Sequence, residues 1–306
     1  MLNALVSAFK GPAMARAAHR RALSTHRGIY SGMAELEAQC PASTGHDDDA
    51  PIFLLSAGWR SGSTLLQRLM MSDPEVLIWG EPYDECGIIQ AIAGSMQAFR
   101  PGWPPKDYYY DGSEPVQLSG EWIANLFPAL PELRRAQRLF FDNLFADPAR
   151  KAGAKRWGIK EVRLGAEHCY YLRWLYPRAK FVFLCRDPRD AYHSYCSHGS
   201  NWYNIFPDKP VFTARDFGRQ WRALADGFLQ HKDALGAVLI RYEDLAAGKI
   251  STTALQDHLA LALDESVLTS KVGSAARFGR AARSGRLEEW LLARATAPTA
   301  ALLGYN

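Results

Sequence analysis

The 306-residue sequence has no apolar run that approaches the roughly 18 residues needed to span a bilayer. Its opening, Met1 to Phe9, is too short for the apolar part of a secretory signal followed by a cleavage site. We therefore expect a soluble, cytoplasmic protein. An organelle is the alternative location, because residues 1–34 carry five basic residues and no acidic one, as transit peptides do. An exposed basic amphipathic helix is the alternative. The basic residues are Lys10, Arg16, Arg20, Arg21 and Arg27.

Cysteine is scarce, and no two cysteines form a C-x-x-C pair. An odd number of widely spaced cysteines argues against a disulfide framework and against a zinc knuckle. We expect reduced thiols, most of them buried. The aspartate run at residues 47–49 is typical of polar surface, and since no group of ligands has metal-binding spacing, we predict no metal. The five cysteines are Cys40, Cys86, Cys169, Cys185 and Cys196.

Excess charge is also small, with a formal net charge of +4 and a pI near 8.7. Such an excess attracts a small anion but is weak for a nucleic-acid binder, so we expect no nucleic-acid partner. A chain of this length with 48% hydrophobic residues buries about three quarters of its unfolded surface in one large domain. We assign that domain to residues 51–306, after a basic extension and an acidic, turn-rich linker over residues 1–50.

Short apolar runs alternate with amphipathic stretches along this domain, a pattern typical of a parallel sheet flanked by helices. A strand is predicted from Ile52 to Ala57, and a helix from Thr64 to Met71 before Asp73-Pro74 stops it. The predicted fold class is α/β, with three layers, a central parallel sheet and a P-loop-like strand-loop-helix unit. Further predicted strands are Val76 to Trp79, Trp157 to Ile159, Phe181 to Cys185 and Val238 to Ile240, and further predicted helices are Glu167 to Tyr176 and Asp216 to Lys232.

The strongest functional signal is the loop Gly58 to Thr64, which reads Gly-Trp-Arg-Ser-Gly-Ser-Thr between the first strand and the first helix. Glycine lets the backbone turn so that its N–H groups face a shared concavity, and the helix start adds the positive end of its dipole. A kinase-type loop has lysine after the second glycine, where Ser63 stands here. The loop is predicted to bind an anion through Arg60, Ser61, Gly62, Ser63 and Thr64.

A second loop follows the strand Phe181 to Cys185 and reads Arg-Asp-Pro-Arg-Asp, with Ser194 eight residues after Arg186. A helix is predicted to begin after the proline, so the arginine ends the strand and the serine lies on the helix. A guanidinium fork and a hydroxyl suit a phosphate group that carries about −1.5 to −2 charges. An arginine paired with Asp187 or Asp190 on a capped helix is the alternative.

The two loops together resemble the 5′-phosphosulfate loop and the 3′-phosphate motif, R-D-P-R-D-x-x-x-S, of sulfotransferases that use 3′-phosphoadenylyl sulfate (PAPS). Two more segments are similar to that family. In Arg-Tyr-Glu-Asp-Leu, Tyr242 would touch the nucleotide, although a core tyrosine is the alternative. In Phe278 to Trp290, Arg280 would close over the nucleotide. The resemblance covers Ile52 to about Trp290 and implies PAPS as co-substrate without a metal.

The sequence lacks the lysine-containing loop and the R-K-G triplet of cytosolic steroid and phenol sulfotransferases. It is therefore closer to the carbohydrate, protein-tyrosine and bacterial branches, whose chemistry implies a small-molecule or glycan acceptor with a hydroxyl or an amine. In that reaction Arg60 and the loop N–H groups would stabilise charge on the leaving phosphate. Two alternatives stay open: a nucleotide or small-molecule kinase on the same fold, and a non-catalytic phospho-ligand binding protein.

A base must take the acceptor proton, and Glu81 is the leading candidate. It follows the second strand in Gly-Glu-Pro, and related branches place their catalytic glutamate in a similar segment; a salt bridge to an arginine is the alternative. His193 and His198 are rivals, because imidazole is the usual base. Lys160, near another strand end, would steady the sulfuryl oxygens or the acceptor, with an ion pair to Glu161 as its alternative.

The segment from Arg100 to Pro115 is rich in proline and glycine and contains four aromatic residues. These residues preclude a long regular element, so we predict a loop. It either covers an acceptor pocket or packs its aromatic rings onto the core.

Overall fold

The computed structural model describes residues 28–42, 49–83, 86–110, 112, 115, 123–197, 211–249, 252–269 and 285–305. Five parallel strands form its central sheet in the order β2-β5-β1-β6-β7, and two short strands, β3 and β4, pair separately. The strands are β1 Ile52–Ser56, β2 Val76–Trp79, β3 Tyr109–Tyr110, β4 Phe127–Pro128, β5 Arg156–Glu161, β6 Lys180–Cys185 and β7 Val238–Arg241.

The central strand β1 has every side chain buried, which is why its sequence shows a continuous apolar run rather than an alternating one. Phe53 and Leu55 belong to the larger apolar cluster on one face of the sheet. Ile52 and Leu54 belong to a second cluster on the other face. A strand buried on both faces needs helices on both sides, so the chain forms the three layers that were predicted.

Helices cover both faces of the sheet. The first apolar cluster includes residues of α1, α3, α4, α5, α6, α7, α8 and α12, and the second includes residues of α2, α9 and α10. None of the described helices is long and apolar enough to cross a membrane. The α-helices are α1 Ile29–Gln39, α2 Ser63–Met70, α3 Ile88–Gly94, α4 Leu130–Phe141, α5 Asp147–Lys151, α6 Ala166–Leu175, α7 Pro188–Cys196, α8 Ala214–Leu235, α9 Tyr242–Ala246, α10 Thr252–Leu259, α11 Ser266–Thr269 and α12 Arg286–Leu302. Shorter elements are the 3-10 turns Ser95–Ala98, Lys106–Tyr108 and Ile123–Asn125, and the π-helical segment Asp142–Ala146.

Helix α1 lies within the region that the sequence analysis assigned to the extension and linker. Its residues Ile29, Met33 and Leu36 are buried in the larger apolar cluster. The end of that region therefore contributes to the core. Residues 1–27, which carry the transit-like composition, lie outside the described residues.

All five cysteines are free thiols, as predicted. Cys40, Cys169 and Cys185 are buried and Cys86 is exposed. Burial raises the pKa of the Cys169 and Cys185 thiols well above their ordinary values. Because the thiolate is the reactive form, these two side chains act as small apolar core residues.

Candidate functional site

The carboxyl ends of all five strands of the main sheet meet at one edge, and each carries a residue of the predicted site. In an open parallel sheet, ligands bind in the crevice beyond this edge. The order β2-β5-β1-β6-β7 therefore sets which predicted residues become neighbours. From one side of the sheet to the other they are Glu81 after β2, Lys160 on β5, the loop Gly58 to Thr64 after β1, Arg186 after β6 and Tyr242 after β7.

The loop after β1 turns through three residues with positive φ. Gly58, Arg60 and Gly62 have φ values of 83°, 63° and 87°. Two glycines adopt this region freely, but for arginine it costs about 1–2 kcal/mol. Helix α2 then begins at Ser63 without a side-chain cap, so its first N–H groups face the crevice beside the loop. The strained arginine and the uncapped helix start suit a loop that holds an anion.

The two predicted phosphate loops touch each other, although they lie more than 120 residues apart. The Nε of Arg60 donates a hydrogen bond to Ser194 Oγ at 2.9 Å. The Nη1 of Arg186 donates to the backbone carbonyl of Arg60 at 3.0 Å. The structure therefore joins these three residues into one site. Arg186 contacts this carbonyl rather than forming the simple pair with Asp187 or Asp190 that was the alternative, and Asp187 instead caps α7.

Tyr242 closes the same site from the β7 side. The guanidinium carbon of Arg186 lies 4.6 Å from the centre of the Tyr242 ring, within range of a cation–π contact. The other neighbour of the ring is Gly62, where an added Cβ would overlap the Tyr242 ring carbons. Tyr242 is half-buried between the two loops rather than part of the deep core.

Two polar atoms in the site are buried without a hydrogen-bond partner among the described residues: Ser61 Oγ and Arg186 Nε. A buried unsatisfied polar atom costs about 1–3 kcal/mol, and such atoms are rare in native structures. An anionic ligand with several acceptor oxygens would satisfy both donors. A phosphate group thus fits the arrangement, together with the uncapped start of α2.

We expect Gly62→Ala to destabilise the fold by roughly 2–4 kcal/mol, because it combines left-handed strain with overpacking against the Tyr242 ring. Urea unfolding measures the change. Gly153→Ala is the matched control, since Gly153 has φ 91° and nothing within 4 Å of an added Cβ. It should lose only the strain, about 1–2 kcal/mol. Equal losses in the two variants would show that the close approach to Tyr242 contributes nothing.

Glu81 and Lys160 form an ion pair at the β2 side of the crevice, with Lys160 Nζ 2.6 Å from Glu81 Oε1. Their side chains are only 21% and 8% exposed. Of the alternatives weighed from the sequence, Glu81 does form a salt bridge, but to a lysine rather than an arginine. Lys160 pairs with Glu81, not with the adjacent Glu161. The two candidates thus form one unit in which the ammonium orients a carboxylate.

Glu161 forms a separate buried pair directly behind this unit. Arg163 donates from Nε and Nη2 to its two carboxylate oxygens at 2.7 and 2.8 Å, and the side chains are 3% and 2% exposed. Burial raises the pKa of Glu161, and the Arg163 guanidinium opposes that shift. The charge of Glu81 raises the pKa of Glu161 further. Arg163 was not identified as a site residue from the sequence.

His193 faces a different neighbour from Ser194. Its Nε2 lies 3.5 Å from Glu289 Oε1 of helix α12, while Ser194, the next residue, contacts Arg60. The structure therefore groups His193 with α12 rather than with the Glu81–Lys160 pair. His198 and Arg280, the remaining candidates, lie outside the described residues.

Three residues that support the Arg186 loop were missed by sequence reasoning. Trp221 Nε1 donates to the Arg186 carbonyl at 3.0 Å, and the Asp187 N–H donates to Glu243 Oε1 at 2.9 Å. Tyr305, near the C-terminus, lies against Trp221 with ring centres 6.3 Å apart. Burial raises the pKa of the Tyr305 hydroxyl, and the charge of Glu243 adds to the rise. No sequence pattern links residues so far apart, and only the packing of α8 and the chain end brings them together.

Removing the Tyr305 ring should cost about 3–5 kcal/mol of unfolding free energy, because Tyr305→Ala leaves a cavity beside Trp221. Leu302→Ala is the control at the same chain end, where the side chain is exposed and the change should stay within about 0.5 kcal/mol. Chemical denaturation of both variants tests this, and a Tyr305→Ala loss as small as the control would contradict the buried packing.

Asp49, the described residue of the aspartate run, does not belong to a group of acidic side chains that could bind a metal ion. Asp49 accepts hydrogen bonds from Trp157 Nε1 and from Arg150 Nη2, both at 3.1 Å. Across the described ranges, no group of three or more His, Cys, Asp and Glu side chains is placed to hold a metal ion.

Within the described residues of the segment from Arg100 to Pro115, the regular elements are short, as predicted. Trp103 stacks edge-on against Tyr108, and Tyr108 against Phe127. Tyr109 packs on the larger apolar cluster, whereas Trp103 and Tyr110 are exposed. Part of the segment therefore packs on the core, and part presents aromatic rings to solvent.

One family model matches most of the chain. Residues 51–265 match the model of the family described as "Sulfotransferase family". Among solved structures, the chain is similar to the sulfotransferase domain from the Synechococcus PCC 7002 olefin synthase, at 17% identity and a TM-score of 0.46, covering 86% of this chain and 97% of that one. It is also similar to sulfotransferase STF9 from Mycobacterium avium, at 15% identity, a TM-score of 0.44 and coverage of 94% and 86%. Mouse sulfotransferase SULT7A1 complexed with PAP gives 15% identity, a TM-score of 0.37 and coverage of 86% and 80%. No curated protein matches.

Proposed function

Because the chain belongs to the sulfotransferase family, we propose that it transfers a sulfuryl group from PAPS to a hydroxyl or amine of a small-molecule or glycan acceptor. The observation that carries the proposal is the meeting of the two phosphate loops: Arg60 bonds to Ser194, and Arg186 bonds to the Arg60 carbonyl. A donor with two phosphate-bearing ends needs such adjacent receptors. A simple phosphate-binding loop needs only one.

Donor binding is assigned to the residues around this contact. The 5′ end would accept hydrogen bonds from Ser61 and from the N–H groups at the start of α2, with Arg60 supplying charge. The 3′-phosphate would accept from Arg186, whose Nε has no partner among the described residues, and from Ser194. Arg60 and Ser194 bond to each other in this structure, so both would exchange that bond for bonds to the ligand. The Tyr242 ring packs against the Arg186 guanidinium in a cation–π contact.

The reaction is an in-line displacement at sulfur. The acceptor oxygen or nitrogen forms a bond to sulfur, the bond from sulfur to the phosphate oxygen breaks, and 3′,5′-ADP leaves with the electron pair. In this proposal Arg60 and the loop N–H groups stabilise the charge on the leaving phosphate, a contribution of about 10²–10³ in rate for each donor. Positioning and electrostatics thus supply most of the catalysis, as expected for a transfer without a covalent enzyme intermediate.

The acceptor proton passes to Glu81 in this proposal. The Lys160 ammonium, 2.6 Å away, orients the Glu81 carboxylate, and both side chains are largely shielded from solvent. In this proposal Lys160 would also share its charge with the sulfuryl oxygens once the proton has moved. The buried Glu161–Arg163 pair behind them holds this end of β5 in place.

Isothermal titration calorimetry with 3′,5′-ADP in a chelator-treated buffer tests the proposal. We expect saturable binding without metal and much weaker binding of 5′-AMP, because 5′-AMP lacks the phosphate assigned to Arg186 and Ser194. ATP with Mg²⁺ should bind poorly, since Ser63 stands where a kinase loop has its lysine. Mg²⁺-dependent ATP binding with no heat from 3′,5′-ADP would establish the kinase alternative. Binding of 3′,5′-ADP without sulfuryl transfer to any acceptor would establish the non-catalytic one.

A further inference from the structure

A cleft of about 630 Å³ lies between helices α8 and α12. Four arginines line it: Arg215, Arg219 and Arg222 from α8, and Arg294 from α12. Helix α8 packs on β6 and β7, at the end of the sheet opposite to β2, which Glu81 follows. The cleft is therefore separate from the Glu81–Lys160 pair.

The charge of the cleft is only partly neutralised. Arg222 pairs with Asp226 at 3.1 Å, and Asp226 also accepts a hydrogen bond from Thr299 Oγ1 at 2.5 Å. Among the described residues, no carboxylate lies within salt-bridge distance of Arg215, Arg219 or Arg294. Three positive charges thus remain without an acidic partner in the part of the chain that is described, which favours an anionic occupant.

The spacing of the arginines favours an extended anion over a small one. Arg215, Arg219 and Arg222 follow each other at i, i+4 and i+7, which places them along one face of α8 over about 10 Å. A single phosphate or sulfate group cannot reach across that row. Carboxylates at the same spacing on an acidic helix can, because they repeat at the same intervals.

The other wall of the cleft is apolar and exposed. Trp290 is 54% exposed and lies under Arg294, whose guanidinium carbon is 5.4 Å from the ring centre. Leu287, three residues earlier on the same face of α12, is 68% exposed but is not one of the residues that line the cleft. Tryptophan and arginine are the residues that most often dominate protein–protein interfaces. An anion without an apolar part would leave the Trp290 ring exposed to water.

We propose that the cleft between α8 and α12 docks an acidic segment of a partner protein, with carboxylates on Arg215 and Arg219 and an apolar side chain on Trp290. The arginine row supplies charge complementarity, and the tryptophan supplies an apolar anchor. This surface does not depend on the donor chemistry proposed above.

Fluorescence polarisation with the full-length protein tests the proposal. The probe is a labelled helical peptide with glutamates at i, i+4 and i+7 and leucines on the adjoining face. A second peptide of the same composition, with its glutamates in one block, tests the spacing. The spaced peptide should bind at low ionic strength, and added salt should weaken it. We expect the double variant Arg215→Glu/Arg219→Glu to weaken binding by roughly 30-fold or more, since attraction becomes repulsion. Trp290→Ala should weaken it by roughly 10-fold.

The matched control is Lys151→Glu/Lys249→Glu, which makes the same change in net charge at two other exposed positions. It should alter binding by less than about 3-fold, because screening limits the effect of remote charges. Circular dichroism checks that each variant is folded. Equal losses in the two double variants, equal binding of the two peptides, or no binding of the spaced peptide would each overturn the proposal. Binding of a heparin fragment or duplex DNA in place of the peptide would also overturn it.

Discussion

Glu81→Gln is expected to lower kcat by roughly 10²–10⁴-fold, because the amide keeps the shape of the carboxylate but cannot take the acceptor proton. Donor binding should survive, since Glu81 contacts Lys160 and not the residues assigned to the phosphates. Single-turnover assays with radiolabelled PAPS measure the rate, and calorimetry with 3′,5′-ADP measures binding. Because no acceptor is identified, an extract that yields a labelled product supplies the acceptor.

Two variants control this prediction. Glu75→Gln changes an exposed glutamate that pairs with Lys155, and it should leave the rate within about 2-fold. His193→Ala tests the rival base and should have a small effect, because His193 faces Glu289 of α12. A large loss in His193→Ala together with near-normal turnover in Glu81→Gln would reverse the assignment of the base.

Arg186→Ala is expected to weaken 3′,5′-ADP binding by roughly 100-fold or more, equivalent to about 3 kcal/mol. The variant removes the guanidinium assigned to the 3′-phosphate and, with it, the hydrogen bond to the Arg60 carbonyl. Its Nε is buried without a partner among the described residues, so the side chain carries unused donor capacity in this structure. Titration of 3′,5′-ADP into wild type and variant measures the change.

The loss of affinity in Arg186→Ala should depend on whether the nucleotide carries a 3′-phosphate. For 5′-AMP we expect a change below about 10-fold, since this nucleotide has no group for Arg186 to bind. Arg135→Ala, on helix α4, removes an exposed guanidinium paired only with Glu132 and should change neither affinity by more than about 2-fold. If Arg186→Ala weakens both nucleotides equally, the residue supports the loop near Arg60 and does not recognise the 3′-phosphate.

Local signals in the sequence predicted the five strands of the main sheet and four of the helices, but not the long helices α4 and α12. The run Val76 to Trp79 matches β2 at both ends, and the predicted strands at residues 157, 181 and 238 lie within β5, β6 and β7. Strands β5 and β6 are buried on both faces, so their apolar runs are continuous and easily recognised. The edge strands β2 and β7 are only partly buried, but their four-residue runs are still mainly apolar. Helix α1 was not predicted as a core element, because its sequence adjoins a basic segment and a linker that obscure its apolar face.

The partners of the site residues were harder to predict. The alternatives for Lys160 and Glu81 named an adjacent carboxylate and an arginine, whereas the structure pairs the two with each other across 79 residues. Trp221 and Tyr305 had no motif to mark them, although both support the Arg186 loop. Such contacts depend on the order of the strands and on helix packing, which no single segment specifies.

The amino-acid sequence by itself determined the local features of the two predicted phosphate loops. Glycines at positions 58 and 62, an arginine between them and a helix start act within a few residues, and the same holds for the arginine and proline at positions 186 and 188. Only the tertiary structure decided that these segments meet, since the order β2-β5-β1-β6-β7 places β1 beside β6. The physical reason is the distance along the chain over which each interaction acts. Backbone sterics and helix dipoles act over a few residues, whereas the contact between Arg60 and Ser194 requires the whole sheet to assemble.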